Sequence, residues 1–354
     1  MKALRYLAGL VLLGWLSWWI VPAAQLPYAS SPFVDAHVHT AGLGYGDSGA
    51  FINAQMRDSY KFPVYLWAIG VNEEELKANG DGYVIDQIAV SIRQSQRVRT
   101  AVILAMDGVI DSHGQLDRDL TQIYVPNEFV AAKTAQHVEL EFGASVNPNR
   151  PDAIERLRRV HAAGAKLIKW IPNIMHIDPA NPAHSAFYQE MAQLGLPLLS
   201  HTGQERSFAD AIDEYGDPQR LALPLSLGVT VIAAHIATTG TIEEQDNYAR
   251  ILDMFDDYPN LYTEISSLTQ VNKLNYLADA LSRPSVTARM LYGTDWPLQF
   301  FPLVSPIYHL NHISVRQAKA VSQQSNQWDA DVVLKQYLGV PNEVFERSST
   351  LLDL

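Results

Sequence analysis

Phe33-Val34-Asp35-Ala36-His37-Val38-His39-Thr40 is the stretch on which the fold turns. Alternate residues of a β-strand point to the same side, roughly 7 Å apart along the backbone, so His37 and His39 leave such a strand together, with Asp35 one step below. Val34, Ala36 and Val38 face the other way, and all three are apolar. A strand that is apolar outward and carries Asp-His-His inward suits the inner wall of a parallel barrel covered by helices. Two imidazoles at that spacing can hold one metal ion and leave positions open for water. An isolated His-x-His more often contains one hydrogen-bonded core histidine beside a chance neighbour. Matching partners further along the chain reverse that balance.

With 354 residues, 47% apolar, the chain can bury a large core, either one α/β barrel or two ordinary domains. A net charge of −12 argues against a nucleic-acid partner, which would show a basic face. The absence of cysteine excludes disulfides and thiolate chemistry, so any metal is held by His, carboxylate or modified Lys. Lys2 and Arg5 precede an uncharged apolar run from Tyr6 to Ala24, the layout of a secretory signal with Val21-Pro22-Ala23 as a small-residue cleavage site. The run is also nearly long enough to serve as an uncleaved membrane anchor, with Trp15, Trp18 and Trp19 suited to the interface. Residues 1–25 are therefore expected to be a signal peptide or anchor helix. Export follows in both cases, to the periplasm or another extracytoplasmic space, with the membrane touched only through this segment. Residues 26–32 read as a linker.

From residue 33 the chain alternates. After the first strand comes an insertion of about sixty residues, rich in glycine and aromatics (Tyr45, Phe51, Tyr60, Phe62, Tyr65, Trp67), which reads equally as a substrate wall or as packing over the rim. A helix is expected near Ile85–Val98. Strands are expected at Thr100–Met106, Val138–Val146, Lys166–Ile171, Leu196–Ser200, Val229–Ala234, Leu261–Ile265 and Arg289–Thr294. Helices lie between them, including Pro126–Gln136, Pro151–Ala163, Phe187–Leu194, Ile242–Phe255 and Val271–Ser282. Eight strands alternating with helices predict a (β/α)8 TIM barrel over residues 33–340, with 341–354 as a C-terminal tail packed on it.

Five strands end in a residue that can bind metal or move a proton: His37/His39, Lys169, His201, His235 and Asp295. C-terminal strand ends of a barrel converge on one pocket. Alternation places His201 on the side of Leu199, His235 on the side of Ala233 and Val231, and Asp295 on the side of Gly293 and Leu291. Glu264, Asn173 and Glu205 lie at or just after strands as candidate substrate contacts, as do Asp107 and Asn147 more weakly. Asp35 is placed to orient a ligand histidine.

As a set, Phe33–His39, Leu199-Ser200-His201-Thr202-Gly203, Ala233-Ala234-His235 and Leu291-Tyr292-Gly293-Thr294-Asp295-Trp296-Pro297 resemble the strand motifs of the amidohydrolase superfamily. The Gly-Thr-Asp-Trp-Pro ending is most similar to the branch that holds metal-dependent hydrolases alongside aromatic-acid decarboxylases. The resemblance implies that His37, His39, His201 and Asp295 bind a first divalent ion. His235 then polarises substrate or water, or joins a carboxylated Lys169 around a second ion. One ion is expected rather than two, and Zn²⁺ suits the nitrogen and oxygen donors. Such an ion brings the pKa of its water to about 7. Asp295, His235 and Lys169 are the catalytic candidates, with Asp295 carrying the proton and His235 stabilising the oxyanion. The expected activity is hydrolysis of an amide, lactone or ester of a small molecule. The alternatives are a non-oxidative decarboxylase on the same barrel and a silent ligand-binding barrel at the envelope. No Lys/Arg cluster announces a phosphate or dicarboxylate, and oligomeric state is not legible.

Overall fold

The computed structural model describes residues 18, 20–29 and 32–354. Within them eight short strands ring a common interior: β1 (Phe33–His39), β2 (Val98–Leu104), β3 (Leu140–Gly143), β4 (Ile168–Trp170), β5 (Leu198–Ser200), β6 (Val231–Ala233), β7 (Leu261–Glu264) and β8 (Met290–Leu291). They run parallel in two ladders, β1-β2-β3 and β8-β7-β6-β5-β4. Two seams close the ring. Ala144 bridges Ile168, and the Lys169 amide donates to Ala144 O at 2.7 Å. On the other side Val38 bridges Trp296, Ala36 N donates to Tyr292 O at 3.2 Å, and Asp295 N donates to His37 O at 2.9 Å. The result is a (β/α)8 barrel.

Apolar residues sort by strand parity. Val102, Leu104, Leu167, Leu199, Ile232 and Leu291 fill the interior. Ala101, Ile103, Phe142, Ile168, Trp170, Leu198 and Val231 face the helical belt. Helices Gly82–Gln94, Ala153–Ala162 and Asn247–Asp257 each bury an apolar stripe at helical spacing, such as Ile85, Ile88 and Ile92.

In β1 strict alternation fails. Asp35 pairs with Ala101 and Val38 with Ile103, so Ala36 and His37 together oppose Val102, as in a β-bulge. The extra residue turns Ala36 inward with His37 and sends Asp35 into the wall between β1 and β8, not into the mouth beside the histidines. There its carboxylate accepts from Trp328 Nε1 at 2.8 Å and Thr294 Oγ1 at 2.6 Å.

The insertion after β1 carries helices Ala54–Asp58, Lys61–Ile69 and Glu73–Asn79. Buried Asp81 ties down its first loop, accepting from Gly44 N at 2.8 Å, Tyr45 N at 3.1 Å and Ser48 Oγ at 2.5 Å. A second long excursion follows β2 and returns Ile123–Tyr124 to pair antiparallel with Phe51–Ile52.

Several element boundaries shift from the sequence expectation. Val98 begins β2 rather than ending a helix. The expected helix from Ile242 starts at Asn247 instead, because Glu243 and Glu244 adopt positive φ in a small hairpin and Asp246 then caps the helix. The expected helix Val271–Ser282 is broken at Asn275 (φ 76°) into a 3₁₀ turn, Val271–Lys273, and a helix, Tyr276–Leu281.

Most of the Tyr6–Ala24 run lies outside the described residues, and among the described residues no helix is long and apolar enough to cross a membrane. Its described part lies along helix Val315–Ser322, where Lys319 Nζ donates to the carbonyls of Trp18 and Val21, both at 2.8 Å.

Residues 342–351 form a helix that covers the β1/β8 seam. Phe345 stacks on Phe33 at 4.8 Å between ring centroids. Leu352 beyond it joins the barrel interior. Leu352→Ala should therefore destabilise the fold by about 2 to 5 kcal/mol, the usual cost of emptying a buried leucine site. Urea titration checks this, and an unchanged midpoint would show that the interior does not need its plug.

Candidate metal centre

Strand ends deliver the predicted residues to one mouth of the barrel. His37 Nε2 and His39 Nε2 are 3.1 Å apart. Asp295 Oδ1 lies 3.4 Å from the first and 3.2 Å from the second. Lys169 Nζ is 3.0 Å from His37 Nε2. His235 faces the same point from across the mouth, its Nε2 3.9 Å from Asp295 Oδ2 and its ring 5.5 Å from that of His37. Donor atoms of His37, His235 and Asp295 all lie within 4.8 Å of one another. His201 is set further back, with its ring 5.3 Å from His235 and Nε2 3.6 Å from Glu205 Oε2. That Nε2 is buried without a hydrogen-bond partner.

His235 arrives by a route that alternation does not predict. Ile232 and Ala234 face the interior, so a regular strand would point residue 235 outward. Positive φ at His235 (58°) and Ile236 (50°) breaks the strand and turns the imidazole into the mouth. Asp295 likewise sits at φ 62°. Gly293 before it must be glycine, because a Cβ there would stand 2.8 Å from Glu264 Oε2 and 2.9 Å from His37 Cβ.

Glu264, expected to touch substrate, lies beneath the histidines and is fully buried. Its Oε1 accepts from His37 Nδ1 at 3.1 Å, His235 N at 3.1 Å and Ser266 Oγ at 2.7 Å, and its Oε2 accepts from Ser266 N at 2.5 Å. Since the Ser266 hydroxyl proton goes to Glu264, His235 Nδ1–H donates to Ser266 Oγ at 2.7 Å. Hydrogen-bond accounting thus puts the proton of both rings on Nδ1 and turns both Nε2 lone pairs toward the mouth. Asn173 is also not a cavity residue: it is buried and its Nδ2 donates to Gly203 O at 3.2 Å and Asp213 Oδ1 at 3.3 Å. Glu205 does line the cavity.

Sequence reasoning missed Ser266, Ser267 and Lys273. Ser267 Oγ donates to Asp295 Oδ2 at 2.7 Å and fixes the carboxylate from the side away from His37 and His39. The only signal for the two serines was position, two and three residues past a buried strand-end carboxylate, and Lys273, in the turn Val271–Lys273, had none.

Burial, the largest influence on each, lowers all four imidazoles: His39 to about 4 and His201 to about 3, with His37 also lowered and His235 well below its ordinary value. Burial works against the Asp295 carboxylate, but His235, His39 and His37 around it hold its carboxyl well below the usual range. Burial brings Lys169 down to about 8. The mouth opens into a cavity of about 210 Å³, walled mostly by apolar residues of the insertion, among them Met56, Phe62, Leu66 and Ile69. The aromatic insertion is therefore part of the pocket wall.

The amidohydrolase family model matches residues 34–302. No curated protein sequence matches. Among solved structures, a TIM-barrel protein of Bordetella bronchiseptica is 15% identical with a TM-score of 0.52, covering 87% of this chain and 99% of its own. A probable 2-pyrone-4,6-dicarboxylic acid hydrolase of Acinetobacter baumannii is 12% identical with a TM-score of 0.53, covering 91% and 96%. A 2,6-dihydroxybenzoate decarboxylase of Rhizobium is 13% identical with a TM-score of 0.52, covering 92% and 99%. These likenesses share the fold, and the family is metal-dependent. On the family match over most of its length, the chain belongs to the amidohydrolase family.

Proposed function

We propose that the protein is a metal-dependent hydrolase that cleaves an ester, lactone or amide bond of a small molecule. The observation that carries this reading is the convergence of two imidazole Nε2 atoms and Asp295 Oδ1, 3.1 to 3.4 Å apart, at the base of an apolar cavity. The donors fit a divalent ion: the His37 Nε2 lone pair, His39 Nε2 and Asp295 Oδ1 converge within 3.1 to 3.4 Å, and His201 Nε2 is a buried atom without a partner. His37, His39, His201 and Asp295 would hold one ion, with Lys169 and His235 added if there are two. Zn²⁺ suits these donors. When bound, it supplies Lewis acidity and a water acidic enough to attack at neutral pH.

The chain's own residues do the rest. Asp295, kept ionised and steadied by Ser267, takes the proton of the attacking water and passes it to the leaving group. His235, its Nε2 toward the mouth, orients the substrate carbonyl. Glu264 orients His37 through Nδ1 and so acts on the site without touching substrate. The same donors would serve a non-oxidative decarboxylase, which the assay below separates. Export, with Tyr6–Ala24 as leader or anchor, belongs to this reading, and cell fractionation with N-terminal sequencing tests it.

Purified protein should carry one divalent ion by elemental analysis. His37→Ala should lose it, and Glu264→Gln should bind it about 10- to 100-fold more weakly. Asp295→Asn should lower kcat/KM by about 10²- to 10⁴-fold. Release of CO₂ from aromatic acids with no turnover of esters, lactones or amides would overturn the hydrolase in favour of the decarboxylase. No metal after reconstitution would leave the silent binding barrel.

A pH dependence follows from burial of the rings. His39 titrates at about 4 and His201 at about 3 in the folded protein, against 6.5 when exposed. Between those values the unfolded chain binds more protons, so stability falls as pH drops from about 6.5 toward 4. Thermal melts of the chelated protein should show this slope. Asp35, whose carboxyl burial pushes up to about 7, acts in the opposite sense over the same range. The slope is therefore read by comparison with His39→Gln, and an unchanged slope in that variant would mean that His39 is not held neutral.

A further inference from the structure

Three basic side chains line the cavity: Lys169, Arg206 and Lys273. Lys169 is engaged with His37 at 3.0 Å, and Arg206 donates to Gln204 Oε1 at 2.9 Å. Lys273 is only 7% exposed, yet among the described residues it forms neither a side-chain hydrogen bond nor an ion pair. Its ammonium thus faces the cavity with Asp295, Glu264 and Glu205 acting on it only from a distance, and a mostly buried cation gains from an anion that meets it directly. Its backbone is held firmly. Lys273 N donates to Gln270 O at 2.9 Å, Val271 N donates to Leu303 O at 2.9 Å, and left-handed Asn275 ends the turn. Lys273 is also near enough to the strand ends that its charge helps to lower His201 and His235.

We infer that Lys273 is the anchor for a carboxylate of the substrate, so that the cavity takes small monoanionic amphiphiles. The carboxylate meets Lys273, the apolar body lies against Met56, Phe62, Leu66 and Ile69, and the reacting carbonyl reaches His235 and Asp295. Size and charge support this class. The cavity of about 210 Å³ suits a body about the size of one ring, since benzene fills an engineered cavity of about 150 Å³. Glu205 and Asp295 already face the same space, and Lys169 and Arg206 are engaged by His37 and Gln204, which leaves Lys273 to meet a single ligand charge. The inference deepens the hydrolase reading and rests on it for the placement of the reacting carbonyl.

The test is calorimetric binding to the full chain, metal-loaded and after chelation, of 4-phenylbutyrate, the neutral 4-phenylbutanol and the dianion phenylsuccinate. In both metal states 4-phenylbutyrate should bind more tightly than the alcohol, and phenylsuccinate should gain nothing over it. Lys273→Met and Lys273→Gln should each weaken the carboxylate by about 10- to 100-fold, the range for a charge-assisted hydrogen bond, while leaving the alcohol and the metal content unchanged. Lys273→Arg should keep most of the affinity. A preference for carboxylate that survives both neutral variants but vanishes on chelation would assign the anchor to the metal and overturn the inference. Equal binding of acid and alcohol would overturn it too, as would tighter binding of the dianion. If no metal loads and no ester turns over, the hydrolase reading fails, while the comparison in chelated protein still decides the role of Lys273.

Discussion

The structure depends on how β1 and β8 meet. Asp35 sits in that seam, and four donors converge on its carboxylate: His37 N and Thr294 N on Oδ1, both at 3.0 Å, and Thr294 Oγ1 and Trp328 Nε1 on Oδ2. One side chain therefore fixes the backbone two residues before His39 and one residue before Asp295. A slip of one residue in this pairing would exchange inward for outward side chains along the strand and separate the carboxylate from both imidazoles. Burial pushes the Asp35 carboxyl up to about 7 against the hydrogen bonds from Thr294, His37 and Trp328. The four hydrogen bonds thus offset only part of what burial costs that carboxylate.

Behind the seam a second buried group works on the same turn. Lys335, fully buried, donates to Gly293 O at 3.0 Å and to Asp331 Oδ2 at 2.8 Å, and Tyr292 OH donates to that same carboxylate oxygen at 2.9 Å. Ion pairs this deep contribute little net stability, because desolvation offsets their attraction. What they do provide is direction. Gly293 cannot carry a side chain, so its carbonyl is the handle by which helix Gln327–Tyr337 holds the turn that presents Asp295.

Alternation of apolar and polar residues reveals those parts of the barrel that obey it. Leu167 and Lys169, Leu199 and His201, and Leu291 and Gly293 keep strand parity, and the sequence reading places them accordingly. Parity misplaces Asp35 and His235, because a bulge and a run of positive φ reverse the facing without leaving a mark on composition. Glu264 and Asn173 stand where substrate contacts stand, but their hydrogen-bond partners, not their positions, decide what they do, and those partners lie on other strands and loops. Ser267 and Lys273 were illegible for a related reason. A serine just after a strand or a lysine in a later turn is common, and only the closed ring brings one against Asp295 and the other into the cavity.

The insertion gives the charges of the mouth their strength. Its apolar wall replaces water on the open side of Asp295 and the imidazoles, and an interaction between charges grows as the surrounding dielectric falls. That benefit depends on a wall already in place before a ligand arrives, since a wall that had to be ordered on binding would spend binding energy on its own entropy. Asp81 meets the requirement by gathering three donors of the Gly44–Ser48 loop, and the Phe51–Ile52 pairing with Ile123–Tyr124 ties the insertion to the excursion after β2. The pocket wall is thus fastened at two places. The apolar character of Met56, Phe62, Leu66 and Ile69 can then act on the electrostatics of the centre rather than merely cover it.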